Sequence, residues 1–466
     1  MNTECNATQL EFQGLGRRKV QAAFDGGHLS SDGGALLLRD VDERLRVTER
    51  LAQCFTDHRD RDLIEHRALE RIQGLALGYE DLNDHDDLSR DPLLALACGK
   101  EDVEGRQRVR EADRGKALAS SKTLNRLELT PADAGPRSRY KKIVYHPEKI
   151  EALLVELFLD SYAAAPKEII LDFDATDDPL HGNQEGRFFH GYYGAYCYMP
   201  LYVTCDEHLL VAKLRTANRD ASAGSVEVLA ALVEQIRKRW PEVRIILRGD
   251  SGFARDNTML WCESNDVYYV LGLAKNSRLL DMIGNALLAA SVRYLQTGVA
   301  ARVFTRFFYR TRDSWSTERR VIAKAEQLPK GANPRFIVTN LPEDYAEPKA
   351  LYEELYCARG DMENRIKEQQ LDLFADRTSA GTLRANQLRL WFSSFAYVLV
   401  SALRRVALKG TRLADASCGT IRLKLFKIAA LVEVSVRRFV IHLASACPYQ
   451  DVFRKACRNL HYPLRT

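Results

Sequence analysis

Four side chains late in the chain have types and spacing that suit chemistry: Tyr356, Arg359, Glu363 and Lys367. At about 100° per residue, an α-helix would put them within roughly 80° of one another, on one face. A carboxylate flanked by two cations makes a poor core surface, because charged groups are rarely buried unpaired. It is well suited to gripping a metal ion and a phosphate together. Far upstream, Asp174 and Asp250 each follow a strand-like apolar run. Together the three acids point to a metal-dependent site that cuts DNA.

Phosphodiester hydrolysis needs an activated water or 3′-hydroxyl and a stabilised leaving oxygen. Two Mg²⁺ or Mn²⁺ ions about 4 Å apart can supply both, and such hard ions select carboxylate oxygens. On this reading Asp174 bridges the ions, and Asp250 and Glu363 each hold one. Arg359 and Lys367 hold flanking phosphates, and Tyr356 hydrogen-bonds one. Asp172 and Asp174 project to the same side of a strand, so either can be the first ligand. The glycines around Asp250, in Arg248-Gly249-Asp250-Ser251-Gly252, suggest a tight turn from strand to helix, with Arg248 a further candidate. The plainer readings are that Asp250 is a helix N-cap and that residues 356–367 form a surface helix laced with pairs such as Glu363–Lys367.

The elements that must position these residues can be read from periodicity. Residues 1–155 read as mainly helical. Ser31 or Asp32 is expected to cap a helix over Ala35–Leu51, and another helix is expected over Leu63–Gly78. The acidic stretch from Asp81 to Asp91 reads as a solvated loop with capping aspartates rather than a metal site. Ser121–Arg126 is either a helix start or a phosphate contact. From residue 167 the pattern turns to strands: Glu168–Asp174, His190–Met199, Leu201–Cys205 and Leu209–Leu214. A helix over Ser222–Arg239 follows, then a strand over Val243–Leu247, a helix over Arg255–Ser264 and a strand over Val267–Leu273. This β-β-β-α-β-α-β order is similar to a ribonuclease-H-like core. In that fold the ends of the first and fourth strands are neighbours, which would bring Asp174 and Asp250 together. Residues 277–338 read as a β-rich insertion. The core then resumes over 339–400 with the Glu363 helix.

The chain has 466 residues, 46% apolar and 28% charged, ordinary for a globular protein of two or more domains. Its net charge of +5 is uneven: Gly381–Thr466 carries fifteen Lys/Arg against three acids, a local +12. Such a tail, read as basic helices over 401–466, is either a solvated face or a phosphate-binding surface. Ten cysteines without a CxxC pair give no zinc framework and read as reduced thiols. No signal peptide is evident in the opening MNTECNATQLEF, and the apolar run Trp391–Leu403 is too short to span a bilayer.

At these residues the chain resembles the DDE transposases of bacterial insertion sequences. Asp174, Asp250 and Glu363 match the acidic triad in order and context. Tyr356, Arg359 and Glu363 match the Tyr-x2-Arg-x3-Glu signature of the insertion-sequence-four superfamily. That signature continues with a Lys seven residues after the Glu, where this chain has Gln370; Lys367 is the candidate substitute. The wording DFDATDDPLHGNQEGRFFHGYYGAYCYMPL, RGDSGF and YCARGDMENRIKEQQLDLFADR is most similar to the thirteen-eighty family. The resemblance implies a cytoplasmic enzyme that binds its own terminal inverted repeats, cuts them and joins them to target DNA, with Mg²⁺ or Mn²⁺ as cofactor. It also implies a homodimeric synaptic complex and no membrane. In relatives cleavage often passes through a hairpin, and an aromatic from the insertion can hold a flipped base; Trp315 is the candidate here, with a tryptophan packed inside the insertion the plainer reading. Residues 1–155 would bind the transposon ends, and the core would start near residue 160 and run to 276 before the insertion.

A rival from another class remains. Asp172-Phe173-Asp174-Ala175-Thr176 also fits the nucleophile motif of haloacid-dehalogenase-like phosphatases, with Asp172 attacking phosphorus and Asp174 as acid/base. A third reading is a catalytically inactive, DNA-binding transposase derivative, although all three acids are intact.

Overall fold

The computed structural model describes residues 9–60 and 70–461. The chain divides into two compact units. The expected helix over Leu63–Gly78 is seen as Glu70–Leu77; its earlier part lies outside the described residues.

The larger unit comprises Val47–His58 and Glu128–Ser401. Helix α1 (Pro147–Asp160) leads into strand β1 (Glu168–Ala175). Three short strands follow: β2 (Asp178–Pro179), β3 (Phe188–His190) and β4 (Ala195–Tyr198). Next come β5 (Leu201–Cys205), β6 (His208–Lys213), α2 (Ser225–Arg239), β7 (Arg244–Gly249), α3 (Asp256–Ser264) and β8 (Tyr268–Leu273). Beyond them lie α4 (Gly284–Thr297), β9 (Ala301–Tyr309), β10 (Arg319–Leu328) and β11 (Arg335–Thr339). Helix α5 (Gly360–Lys367) and the long helix α6 (Leu383–Val406) complete the run.

One sheet organises this unit, in the spatial order β6-β5-β1-β7-β8-β11-β10-β9, with Gly331–Ala332 pairing beside β10. β1 pairs in parallel with β7, and β7 with β8; the remaining pairs are antiparallel. Strand alternation gives the sheet two faces. Leu171, Phe173, Ile245, Leu247, Tyr269 and Leu271 share one core with Phe158 of α1, Ile236 of α2 and Met259 of α3. Ile246, Val270, Ile322 and Ile337 form a second core with Leu351 and Tyr352, from the segment that precedes α5. Fully burying each such side chain contributes about 1.5–3 kcal/mol. Asp172, Asp174 and Arg248 alternate onto this second face, which therefore meets the Glu363 segment.

The stretch read as a β-rich insertion opens with two helices, Ser277–Met282 and α4, and its strands β9–β11 extend the main sheet. The apolar alternation of β10 and β11 let them pair onto the free edge of β8.

The smaller unit gathers the described residues up to Arg46, those from Arg59 to Leu127 and those from Ala402 onward. The expected boundary at residue 155 is thus not where the chain divides, and the N- and C-terminal regions form one body. The expected Ala35–Leu51 helix breaks at Arg46, whose φ of 55° ends Ala35–Leu45 before Val47–Ala52 begins. Neither Ser31 nor Asp32 caps it with its side chain. Asp32 is committed elsewhere, accepting from Lys427 Nζ and Tyr79 Oη, both at 2.6 Å. The following Gly33-Gly34 lies against Leu425–Ile428, where a Cβ on Gly34 would collide with the Leu425 carbonyl. Asp91 does cap its helix, accepting from Leu93 and Leu94 backbone N–H. The C-terminal region is not all helical: Ala430–Val434 and Phe439–Leu443 form a hairpin that pairs with Leu29–Ser30 before the helix Gln450–His461. The β-branched content of LVEVSV and FVIHL outweighs the surrounding helical pattern.

Candidate active site

The larger unit brings the candidate acids to one end of its sheet. Asp174 lies at the carboxyl end of β1, in register with Tyr202 of β5. Asp250 directly follows β7, the parallel neighbour of β1. Its Oδ1 accepts from Gly252 N–H at 2.8 Å, which closes the turn that the flanking glycines predict. Gly272, on β8, was not singled out from the sequence. A Cβ there would lie 2.5 Å from the Tyr356 hydroxyl, 3.0 Å from Ser251 N and 3.2 Å from the Asp250 carbonyl carbon. An isolated glycine inside a strand pattern was the available signal, since it often marks a close backbone approach.

The segment carrying Glu363 is not a uniform helix. A wide π-helical turn (Leu351–Tyr356) and a tight 3-10 turn (Cys357–Arg359) precede α5, and a second π turn (Glu368–Asp372) follows it. The ideal 100° spacing therefore does not hold from Tyr356 to Lys367. Such irregular turns are frequent at functional sites. Arg359 still reaches both acids: Nη1 stands 3.4 Å from Asp174 Oδ2, and Nη2 stands 3.2 Å from Glu363 Oε1. Tyr356 packs its ring 5.7 Å from that of Tyr352, with its hydroxyl over Gly272. Lys367 is exposed and has no ion pair with a described residue. Gln370, at the signature lysine's position, donates to the Asp177 carbonyl at 3.0 Å and so anchors the loop beyond Asp174.

The electrostatics link these groups. Burial pushes the Asp174 carboxyl up to about 6; Arg359 pulls it down, while Asp250 and Glu363 push it further up. Burial works against the Arg359 charge, but Asp174, Tyr356, Asp250 and Glu363 together raise its pKa above the ordinary value. Burial also raises Tyr356, opposed by Arg359 and reinforced by Asp250. One guanidinium thus serves three carboxylates.

That surplus of negative charge tests the fit of a divalent cation. Among the described residues, no three His, Cys, Asp or Glu side chains already stand at coordinating distance. The donor set nonetheless fits a hard cation in kind, with oxygen ligands only and a resident positive charge among them. Glu363 is about half exposed and Arg359 reaches it through a long side chain, so both have room to rearrange.

The remaining candidates fall elsewhere. Asp172 is almost fully buried, and both its oxygens accept from Arg248, from Nη2 at 2.7 Å and from Nε. Burial pushes its carboxyl up, against the pull of Arg248. Buried and tied to Arg248, this carboxylate is not presented to a phosphate, as the phosphatase reading requires. Arg248 also donates Nη1 to the Leu355 carbonyl. It thereby ties β1, β7 and the Glu363 segment together, a contact with no sequence signal. Trp315, a candidate either to hold a base or to pack inside the insertion, is buried. Its ring lies edge-on to Tyr309 at 5.8 Å with the Arg319 guanidinium 5.6 Å from its centre.

A family model described as "Transposase DDE domain group 1" matches residues 12–463. No curated protein matches the chain. A solved structure to which it is similar is a piggyBac transposase synaptic complex with hairpin DNA. The TM-score is 0.38 at 10% identity, over 85% of this chain and 80% of that one. A likeness of that size leaves the fold to be read from the chain's own sheet.

Proposed function

Because the chain belongs to the Transposase DDE domain group 1 family, and is therefore a DDE transposase that cuts and joins DNA, we propose that Asp174, Asp250 and Glu363 are its acidic triad. The observation that carries this is Arg359, bonded to Asp174 and Glu363 and electrostatically coupled to Asp250 as well. The order β6-β5-β1-β7-β8 supports a ribonuclease-H-like core, with β9–β11 added to its edge.

Asp174, Asp250 and Glu363 would hold divalent cations, two Mg²⁺ or Mn²⁺, which when bound activate the attacking oxygen and stabilise the leaving one. The chain's own groups do the rest. Arg359 keeps the acids' charge in check before DNA arrives, and its forked donors suit a phosphate oxygen once those acids are otherwise neutralised. Tyr356 can donate its hydroxyl to a neighbouring phosphate. Lys367, exposed on α5, is free to take another as a point charge. The buried Asp172–Arg248 pair fixes the strand ends that carry the acids.

The substrates on this reading are the terminal inverted repeats of the chain's own element and a target DNA, handled by a homodimer in the cytoplasm of a bacterial cell. Membership of the thirteen-eighty group belongs to the same reading. The smaller unit, with most of the basic C-terminal segment, would bind the ends. No described helix is long and apolar enough to cross a membrane.

The test is nicking of a plasmid carrying the element's ends, with and without Mg²⁺. Asp250→Ala should abolish cutting and leave DNA binding within about twofold. Cutting by Asp250→Ala at the normal rate would overturn the triad assignment.

A further inference from the structure

Between β1 and β5 the chain makes an aromatic hairpin, β3 and β4, whose side chains the reaction as described does not use. Phe189 on β3 faces Tyr196 on β4 edge-on at 5.6 Å. Their connection, Gly191-Tyr192-Tyr193-Gly194, turns through a positive φ of 66° at Gly194 and sets Tyr192 against Tyr193 at 5.0 Å. These rings are not core: Tyr192 is 86% exposed and Phe189 58%, with Phe188, Tyr193 and Tyr196 also on the surface. A cluster of exposed aromatics this dense marks an interaction surface.

Its position says with what. β4 pairs with β2, which begins four residues after Asp174, and β4 runs into β5, whose first residue pairs with Ala175. The hairpin therefore springs from the sheet end that carries Asp174 on both of its connections. Tyr193 is close enough to Asp177 and Asp174 that both add to the upward push burial gives its hydroxyl. With Asp174 in the active site, the strand being cut would lie beside this hairpin.

Its charge narrows the contact further. Residues 176–200 hold one Lys or Arg, Arg187, against Asp177, Asp178 and Glu185. Arg187 itself lies over the Tyr196 ring, 4.8 Å from its centre. A segment so poor in cations offers phosphates few partners, which leaves its aromatic faces as the main contact. Aromatic faces stack on bases, and only unpaired bases expose theirs. We propose that the β3–β4 hairpin is a stacking platform for unpaired bases of the DNA strand at the cleavage site, with Phe189, Tyr192 and Tyr196 as its principal faces. The inference rests on the assignment of Asp174 to the active site.

The test is fluorescence anisotropy with the full chain in EDTA, so that nothing is cut. The probes are a labelled 20-nucleotide oligo(dT) and a blunt 30-base-pair duplex. Tyr192→Ala and Phe189→Ala should each weaken oligo(dT) binding about tenfold, since stacking contributes roughly 1–3 kcal/mol per base. Duplex affinity should stay within twofold. Tyr192→Phe should bind normally and Tyr192→Leu should not. Unchanged oligo(dT) affinity, equal loss on both probes, or full binding by Tyr192→Leu would overturn the proposal. So would a smaller oligomer for the alanine variants on gel filtration, which would make the patch a subunit contact. Because Asp250→Ala should bind both probes normally, failure of the hairpin inference and failure of the triad assignment give different results.

Discussion

Gly272→Ala is the most informative single change, because it adds one methyl where the acids meet the Glu363 segment. The new Cβ would stand 2.5 Å from the Tyr356 hydroxyl and 3.0 Å from Ser251 N. The first is inside any real carbon contact and the second is unusually tight, so the Tyr356 ring must shift, with the Asp250 turn giving by a few tenths of an ångström. Overpacking of this kind costs about 1–3 kcal/mol. For a unit of this size that lowers the melting temperature by roughly 2–10 °C, which leaves the protein folded at 25 °C. Cutting should suffer far more, because an ångström of misplacement at a reacting centre costs about a hundredfold. The double variant Gly272→Ala/Tyr356→Phe removes the closer of the two contacts. It should recover part of the lost stability, with a coupling on the order of 1 kcal/mol. Melting by fluorimetry and plasmid nicking in Mg²⁺ measure both. A Gly272→Ala protein that melts and cuts like the parent, or a double variant no more stable than the single, would refute the close packing argued for this corner.

Other perturbations separate positioning from packing. Arg248→Leu strands the Asp172 carboxylate in the interior and frees the Leu355 carbonyl, so it should cost about 3–5 kcal/mol in chemical denaturation; a loss under 1 kcal/mol would mean the pair is not buried as described. Trp315→Ala should destabilise by about 3–5 kcal/mol as a core truncation while leaving oligo(dT) binding within twofold, and a selective loss of that binding would return the residue to a base-holding role. Asp178 is buried, accepts from Thr378 Oγ1 at 2.9 Å, and has its pKa pushed well above the ordinary value by burial. The folded state therefore holds this proton more tightly than the unfolded state. Stability should fall as pH rises above about 4, where the unfolded chain begins to release its proton. Asp178→Asn should flatten the decline in melting temperature between pH 4 and 8, and a parallel decline in both proteins would contradict the assignment.

The legible part of this chain was what alternation and chemistry dictate locally. The alternation of Ile169, Leu171 and Phe173 with Ile170, Asp172 and Asp174 told that both acids share one face of β1, and the Gly-flanked Asp250 told where a turn must follow. What stayed hidden depended on partners far away in sequence. Asp172 and Asp174 look alike on one strand face; only Arg248, on the neighbouring strand, distinguishes the tied carboxylate from the one left for Arg359. That the strands β9–β11 would join the main sheet was not legible, because nothing local says that β8 has a free edge for β11. The change of pitch between Tyr356 and Gly360 was likewise invisible, since propensity reports helix without reporting π or 3-10 turns. The Asp32–Lys427 bond joins residues 395 positions apart, beyond the reach of any local pattern.

Asp174, Asp250 and Glu363, far apart in sequence, are expected to share their cations. Crystals of the full chain with a duplex carrying the element's end and Mn²⁺, measured at the manganese absorption edge, test it directly. The prediction is anomalous density about 2.1 Å from oxygens of Asp174, Asp250 and Glu363 alike, with the Arg359 guanidinium moved onto a phosphate. Manganese held without Asp250 or Glu363, or bound at some other cluster beside the cut strand, would contradict it.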